Sequence, residues 1–319
     1  IDYGVEQTLS LTITAFDQEM ASVNQQIAVN IVEGVGGMAV DGYIAGATVF
    51  ADADRDGLLD PGEAFTTTDA LGNFTLFGGS GPLILYGGTD ISTGTPFLGQ
   101  LKAPEGSTVL TPLTTLVAEI AGANATAQEI ADANALVLQG LGLPAGVDLT
   151  SLDPITAALS SDPALADIGE AAIAAAVQIQ NTVAQSSALL TGAGASSTDD
   201  AAAAMFASLA SQLEAAVTSS QTLDLSDATV IATALIDAGA ATGADTQRIA
   251  DTADGAANII TASNIAVSDA VATSTSATDL LTSLAQVSVV AQQDATVALQ
   301  EAGQTGSTTT AEASFTGTA

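Results

Sequence analysis

The chain is 319 residues long and carries 36 acidic side chains against three basic ones, Arg55, Lys102 and Arg248, for a formal charge of −33. Such a charge repels nucleic acid and anionic membrane surfaces, and it favours divalent cations or high salt as screening partners. Cys, His and Trp are all absent, which excludes disulfides, thiol chemistry, Ser-His-Asp triads and His-ligated zinc.

The length accommodates two or three domains. No apolar run approaches the roughly 18 residues of a membrane span, so a soluble chain without membrane insertion is expected. Because the first residue is Ile1 and not Met, a processed product or a fragment is expected, and a removed signal peptide is compatible with that.

Residues 1–33 read as strands. Leu9, Leu11, Ile13 and Ala15 alternate with polar neighbours; after the polar stretch Asp17-Gln-Glu19, Ile27, Val29 and Ile31 alternate again. Two strands do not make an independently stable sheet. The segment resembles the last strand pair of a cadherin-like or immunoglobulin-like repeat. Either the domain is cut before Ile1 or another subunit completes it. The run Gly34-Val-Gly-Gly37 then reads as a linker.

Residues 38–106 read as a β domain. Nine of the eleven aromatic residues lie before position 98, as suits a compact β core. Tyr43, Ala45, Ala47 and Val49 alternate within Asp41–Phe50. Further strands are predicted over 64–68, 73–77 and 83–86, with a turn at Asp69-Ala-Leu-Gly72. Between the first two lies Asp52-Ala-Asp-Arg-Asp-Gly-Leu-Leu-Asp-Pro-Gly-Glu63. This twelve-residue run has the spacing of an EF-hand-type calcium loop. Asp52, Asp54, Asp56, Asp60 and Glu63 occupy positions one, three, five, nine and twelve; Gly57 takes the sharp turn at six, and Leu58 offers its carbonyl at seven. Five carboxylates this close repel one another without a cation between them. The flanks are strand-like and not helical, so calcium is expected as a structural ion at a sheet edge and not as a sensor. Gly87-Gly-Thr-Asp-Ile-Ser-Thr-Gly94 has two readings: a plain turn, or a polar loop that contacts a glycan or adds calcium ligands through Asp90.

Asp41-Gly-Tyr-Ile-Ala-Gly-Ala-Thr-Val-Phe50, the Asp52–Glu63 loop and Thr68-Asp-Ala-Leu-Gly-Asn-Phe74 together resemble the SdrD B-like, or Cna B-like, fold. That is a small prealbumin-like β-sandwich common in large bacterial surface adhesins. The resemblance implies calcium in the loop, held by Asp52, Asp54, Asp56, Asp60 and Glu63. Some members form a Lys–Asn isopeptide crosslink; Lys102 is the sole lysine here and lies off the first strand, so no crosslink is expected.

Residues 107–303 are rich in Ala, Leu, Ile, Val, Thr and Ser, and read as a helical bundle. Thr111 caps a helix opened by Pro112, with Leu113, Leu116, Val117 and Ile120 on one face. Thr126-Ala-Gln-Glu129 and Ser197-Thr-Asp-Asp200 have capping-box spacing, and the abundant Ser and Thr of the bundle are read as surface and capping residues and not as nucleophiles. A long helix follows Pro163, and others are predicted over about 199–218, 226–239, 244–271 and 277–302, the last burying Leu281, Leu284, Val287 and Val290. Thr111–Leu116, Leu141–Pro144 and Asp153-Pro154 resemble, more loosely, an Ala-rich helical module that follows such β domains in giant repeat-containing adhesins. Residues 304–319 read as a polar tail, with Thr308–Thr318 and Phe315 as a candidate donor strand for a neighbouring subunit.

The expected fold class is therefore α+β and multidomain, with β-sandwich segments in the first third and an all-α bundle in the remaining two thirds. The expected function is non-enzymatic. It is that of an extracellular structural protein of bacterial cell-surface type, calcium-stabilised, whose partners are copies of itself or neighbouring repeats, in a fibre or surface layer. The alternative is a glycan- or receptor-binding adhesin module within a longer monomeric chain.

Overall fold

The computed structural model describes residues 7–16, 22–31 and 34–315; the predicted polar stretch at Asp17–Glu19 and the last four residues lie outside the described residues. Strands occupy the first third and helices most of the rest, an α+β layout.

β1 (Gln7–Phe16) and β2 (Ser22–Ile31) form the antiparallel pair that the alternation predicts, with Leu9 opposite Val29 and Leu11 opposite Ile27. Leu11 and Ile13 stay 47% and 52% exposed, so the alternation marks a ribbon face and not a buried one.

The predicted linker is a strand. β3 (Gly34–Ala39) runs between β7 (Asn73–Phe77) and β11 (Val109–Leu110), antiparallel to the first and parallel to the second. Its glycines serve close approach and not flexibility. A Cβ on Gly37 would run into the ring of Phe74, and one on Gly34 would sit 2.7 Å from the ring of Phe77.

A second sheet has the order β10 (Gln100–Ala103), β8 (Leu83–Tyr86), β5 (Thr48–Ala51), β6 (Phe65–Thr67), antiparallel throughout. The predicted strand over 41–50 is split in two. A bend at Gly46 separates β5 from β4 (Ile44–Ala45), which pairs instead with β9 (Thr89–Asp90). Val49, Leu83, Leu85 and Leu101 of one sheet share a buried cluster with Phe74, Leu76 and Leu110 of the other.

That cluster does not stop where the helices begin: Leu113, Leu116, Val117, Leu138 and Leu209 belong to it. Helix α1 (Pro112–Ala121) follows β11 after one residue, Thr111. Thr111 and Thr114 close a capping box, each hydroxyl accepting from the other's backbone N–H. α2 (Ala127–Gly140) opens on the predicted Thr126/Glu129 box. The short α3 (Pro154–Ala158) is capped by Asp153 and leads to α4 (Pro163–Gly192), a 30-residue helix at the centre of the bundle. α5 (Thr198–Thr218), α6 (Ala228–Thr242) and α7 (Thr246–Thr273) match the predicted helices within a few residues, and α8 (Ala277–Val289) is the first part of the last predicted one. α5 is long and apolar enough to cross a membrane by length and composition, and its Met205, Phe206, Leu209 and Leu213 are buried within the bundle.

Three helical expectations need correction. The last predicted helix is broken by a π-helical segment at Val290–Ala295 before α9 (Thr296–Thr305). Its buried stripe is Leu280, Leu284, Ser288, Ala291 and Ala295, while Val290 is exposed. Further along, glycines let the α4 and α9 backbones nearly touch. A Cβ on Gly192 of α4 would overlap the Gln300 carbonyl oxygen of α9, and one on Gly303 would overlap that of Leu189. Second, the polar tail is not a strand: α10 (Thr309–Phe315) is a helix packed on α7 and α9. Third, Ser and Thr are not confined to caps and surface. Gln180, Asn181, Thr182, Gln185, Ser186 and Ser187 of α4 are all buried. Some of that polarity is paired across helices: the Asn264 amide donates to Thr182 Oγ1 at 2.9 Å and to the Leu225 carbonyl at 2.8 Å, and Gln292 donates to Asn181 Oδ1 at 3.0 Å.

Candidate metal site

The Asp52–Glu63 loop joins β5 to β6, neighbours in the same sheet, so both of its ends are fixed by strand pairing. Asp52 follows directly on β5 and is 2% exposed. Its carboxylate organises the turn: Oδ1 accepts from the backbone N–H of Arg55 at 2.8 Å and of Asp56 at 3.2 Å, and Oδ2 from Gly57 at 3.0 Å. Gly57 has φ +84°, the left-handed conformation that position six requires. Asp56 Oδ1 accepts from Leu58 N–H at 2.8 Å. Glu63 reaches back across the loop, with Oε1 accepting from Ala53 N–H at 2.6 Å and Oε2 from Asp60 N–H at 3.1 Å. The Leu58 side chain is 64% exposed and takes no part in the core, which leaves its carbonyl as its contribution.

These bonds bring the carboxylates together. Ligand oxygens of Asp52, Asp54 and Glu63 lie within 4.8 Å of one another, as do those of Asp54, Asp56 and Asp60, so Asp54 belongs to both groups. The five predicted side-chain ligands thus fall into two groups of three that share Asp54, and either group, all hard oxygen, could hold a metal ion. Electrostatics favour a cation there. Burial raises the Asp52 pKa, opposed by its backbone hydrogen bonds and helped by the charge of Glu63. Loss of solvent and then the charges of Asp56, Asp54 and Glu63 raise that of Asp60.

Spacing does not reveal how the loop meets the helices. Arg55 Nε donates to the Ala123 carbonyl at 2.7 Å, in the connection between α1 and α2, and Nη2 lies 3.8 Å from Glu105 Oε2. Nearby, Lys102 Nζ donates to Glu119 of α1 at 2.8 Å. A cavity of about 280 Å³ between loop and helices is lined by Asp52, Arg55, Lys102, Glu105 and Glu119. The one signal for this docking in the sequence is the basic side chain itself, one of three in the chain, placed inside an acidic loop.

No family model matches the chain, no curated protein matches it in sequence, and no solved structure matches its fold.

Proposed function

We propose that the chain is a non-enzymatic, extracellular structural protein of bacterial cell-surface type, in which calcium bound by Asp52, Asp54, Asp56, Asp60 and Glu63 stiffens the β region. The observation that carries this reading is the two overlapping groups of carboxylates, joined at Asp54, in a loop anchored at both ends to one sheet and tied by Arg55 to the helical region. A cation there relieves the repulsion among the loop carboxylates, which their backbone hydrogen bonds offset only in part, and it fixes the loop against the α1–α2 connection. The ion's role on this reading is mechanical: it makes the β region and the bundle respond as one body. Extracellular calcium levels suit a structural site of modest affinity, whereas cytosolic levels do not.

The finer parts of the reading follow from the same features. The paired sheets around Val49, Leu85, Phe74 and Leu76 are read as a sandwich of the SdrD B-like or Cna B-like kind. The β1–β2 ribbon, with Leu11 and Ile13 exposed, is read as the strand pair that a preceding repeat or a second copy completes. The net charge of −33 makes divalent cations natural cross-linkers between copies.

Light scattering and negative-stain imaging of the intact chain, in millimolar calcium and then in excess chelator, test the assembly. Filaments or sheets that dissolve on chelation support a calcium-dependent polymer. A monomer in both conditions removes self-assembly and leaves the adhesin-module reading.

A further inference from the structure

A second acidic site lies away from the loop, where the β region meets the bundle. Asp41 sits in the turn between β3 and β4, is 5% exposed, and has no hydrogen-bond partner on either carboxylate oxygen. An ionised carboxylate in that position is strongly disfavoured unless a cation accompanies it. Beside it lies a second buried carboxylate, that of Asp90, 1% exposed. Asp90 Oδ1 and Ser92 Oγ press against Gly42 so closely that a Cβ there would overlap both. Asp90 is held in place by Ser92, whose N–H and hydroxyl both donate to Oδ1 at 2.8 Å, and by the Thr93 hydroxyl, which donates to Oδ2 at 2.8 Å. The Ile91 N–H donates to the Tyr43 carbonyl at 2.9 Å, which clamps this loop over the Asp41 turn.

No protein cation is available to this pair. The three basic side chains of the chain are engaged elsewhere, Arg55 with Glu105, Lys102 with Glu119 and Arg248 with Asp245. Burial and then the charge of Asp90 push the Asp41 carboxyl well above the ordinary carboxylate range. Asp41 also lines a cavity of about 200 Å³ whose far wall is Ile173 and Val177 of α4 and Leu284 of α8. The adjacent Val40 packs into a cluster with Ile155, Ile173 and Leu280.

We propose that Asp41 and Asp90 hold a second divalent cation, of the hard-oxygen class to which calcium belongs, at the seam between the β region and the helical bundle. Asp41 supplies the unpartnered oxygens, and Ser92 and Thr93 orient Asp90 toward the ion. This site locks the turn before β4 onto the helices, and it does not depend on the Asp52–Glu63 loop.

Calorimetric titration of the intact, chelator-stripped chain with calcium tests the assignment, with D41N and the loop variant D54A/E63Q alongside. Two ions are expected in the parent and one in each variant. D41N binding as many ions as the parent overturns the proposal. Melting in chelator supplies the second readout. Above the raised pKa of its carboxyl, metal-free Asp41 is an uncompensated buried charge that D41N removes, so at alkaline pH D41N melts above the parent without calcium and loses part of the calcium-induced rise. Equal melting of D41N and parent in both conditions makes Asp41 a neutral, protonated structural acid and also overturns the proposal. Should D41N not fold, the loop variant decides: one residual ion supports the site and none refutes it. An ion count of one in the parent that survives in D54A/E63Q and vanishes in D41N removes the loop site alone.

Discussion

Asp52 and Asp54 are both expected ligands of one ion, yet the fold uses them differently, and the substitutions D52A and D54A separate metal binding from loop architecture. Asp52 is buried and accepts three backbone N–H bonds; Asp54 is exposed and lies in both carboxylate groups. In chelator, D52A strands three donors, at about 1.5–3 kcal/mol gross for each bond to a charged acceptor. Relief of Asp52 desolvation and of its repulsion by Glu63 offsets part of this, which leaves a net cost of about 1–3 kcal/mol. D54A in chelator stays within about 0.5 kcal/mol of the parent, as for an exposed surface change. Calcium at a hundred times its dissociation constant stabilises the parent by about 2.7 kcal/mol. Both variants forfeit most of that gain. Denaturant unfolding with calcium and with chelator reads all six values. The reasoning is refuted if D54A keeps the calcium gain, or if D52A in chelator is no less stable than D54A.

Three further outcomes follow from the packing and electrostatics. R55A removes the bond to the Ala123 carbonyl and the Glu105 contact; it costs about 0.5–1.5 kcal/mol, and hydrogen exchange at 122–126 should lose its calcium-dependent slowing while calcium binding persists. G192A forces a methyl onto the Gln300 carbonyl oxygen at the α4–α9 crossing, so thermal melting should report a loss of about 1–3 kcal/mol; unchanged stability would mean that the helices do not approach this closely. Burial holds the folded Asp41 and Asp90 carboxyls above the ordinary aspartate range, so without metal the folded chain binds more protons than the unfolded one between the unfolded and the folded pKa. Their contribution is fully present below that window and is lost as pH rises through it. Metal-free stability measured against pH should therefore fall more steeply in the parent than in D41N.

Much of the helical region is legible because its signals are local. Thr111, Thr126 and Ser197 announce helix starts within four residues of chain, and the structure places helices there. The clustering of the Asp52–Glu63 carboxylates is legible for the same reason, since they lie within twelve consecutive residues. Failures occur where the deciding partner is distant. The glycines of β3 read as a linker because the rings they pack under, Phe74 and Phe77, lie some forty residues on. The buried stripe of the last long helix shares Leu284 with the predicted one but runs through Leu280, Ser288 and Ala291 elsewhere, and the π-helical segment that begins at Val290 shifts the residues after it. Thr309–Phe315 has strand-like composition, yet it folds as a helix against α7 and α9, where tertiary contact overrides propensity. Burial of Thr182 and Ser186 follows from the central position of α4, and that of Asn264 from the packing of α7 against it, which no local pattern encodes. Asp41 is invisible for a related reason: its significance rests on Asp90, brought beside it by the β4–β9 pairing.

Calcium in the Asp52–Glu63 loop is proposed as a structural ion. Thermal unfolding of the intact chain across a calcium series, with D54A/E63Q measured in parallel, tests it most directly. The account predicts a midpoint that climbs with the logarithm of calcium concentration in the parent and a markedly smaller climb in the loop variant. A parent midpoint equal in calcium and chelator, or a climb that the loop variant fully retains, would contradict it.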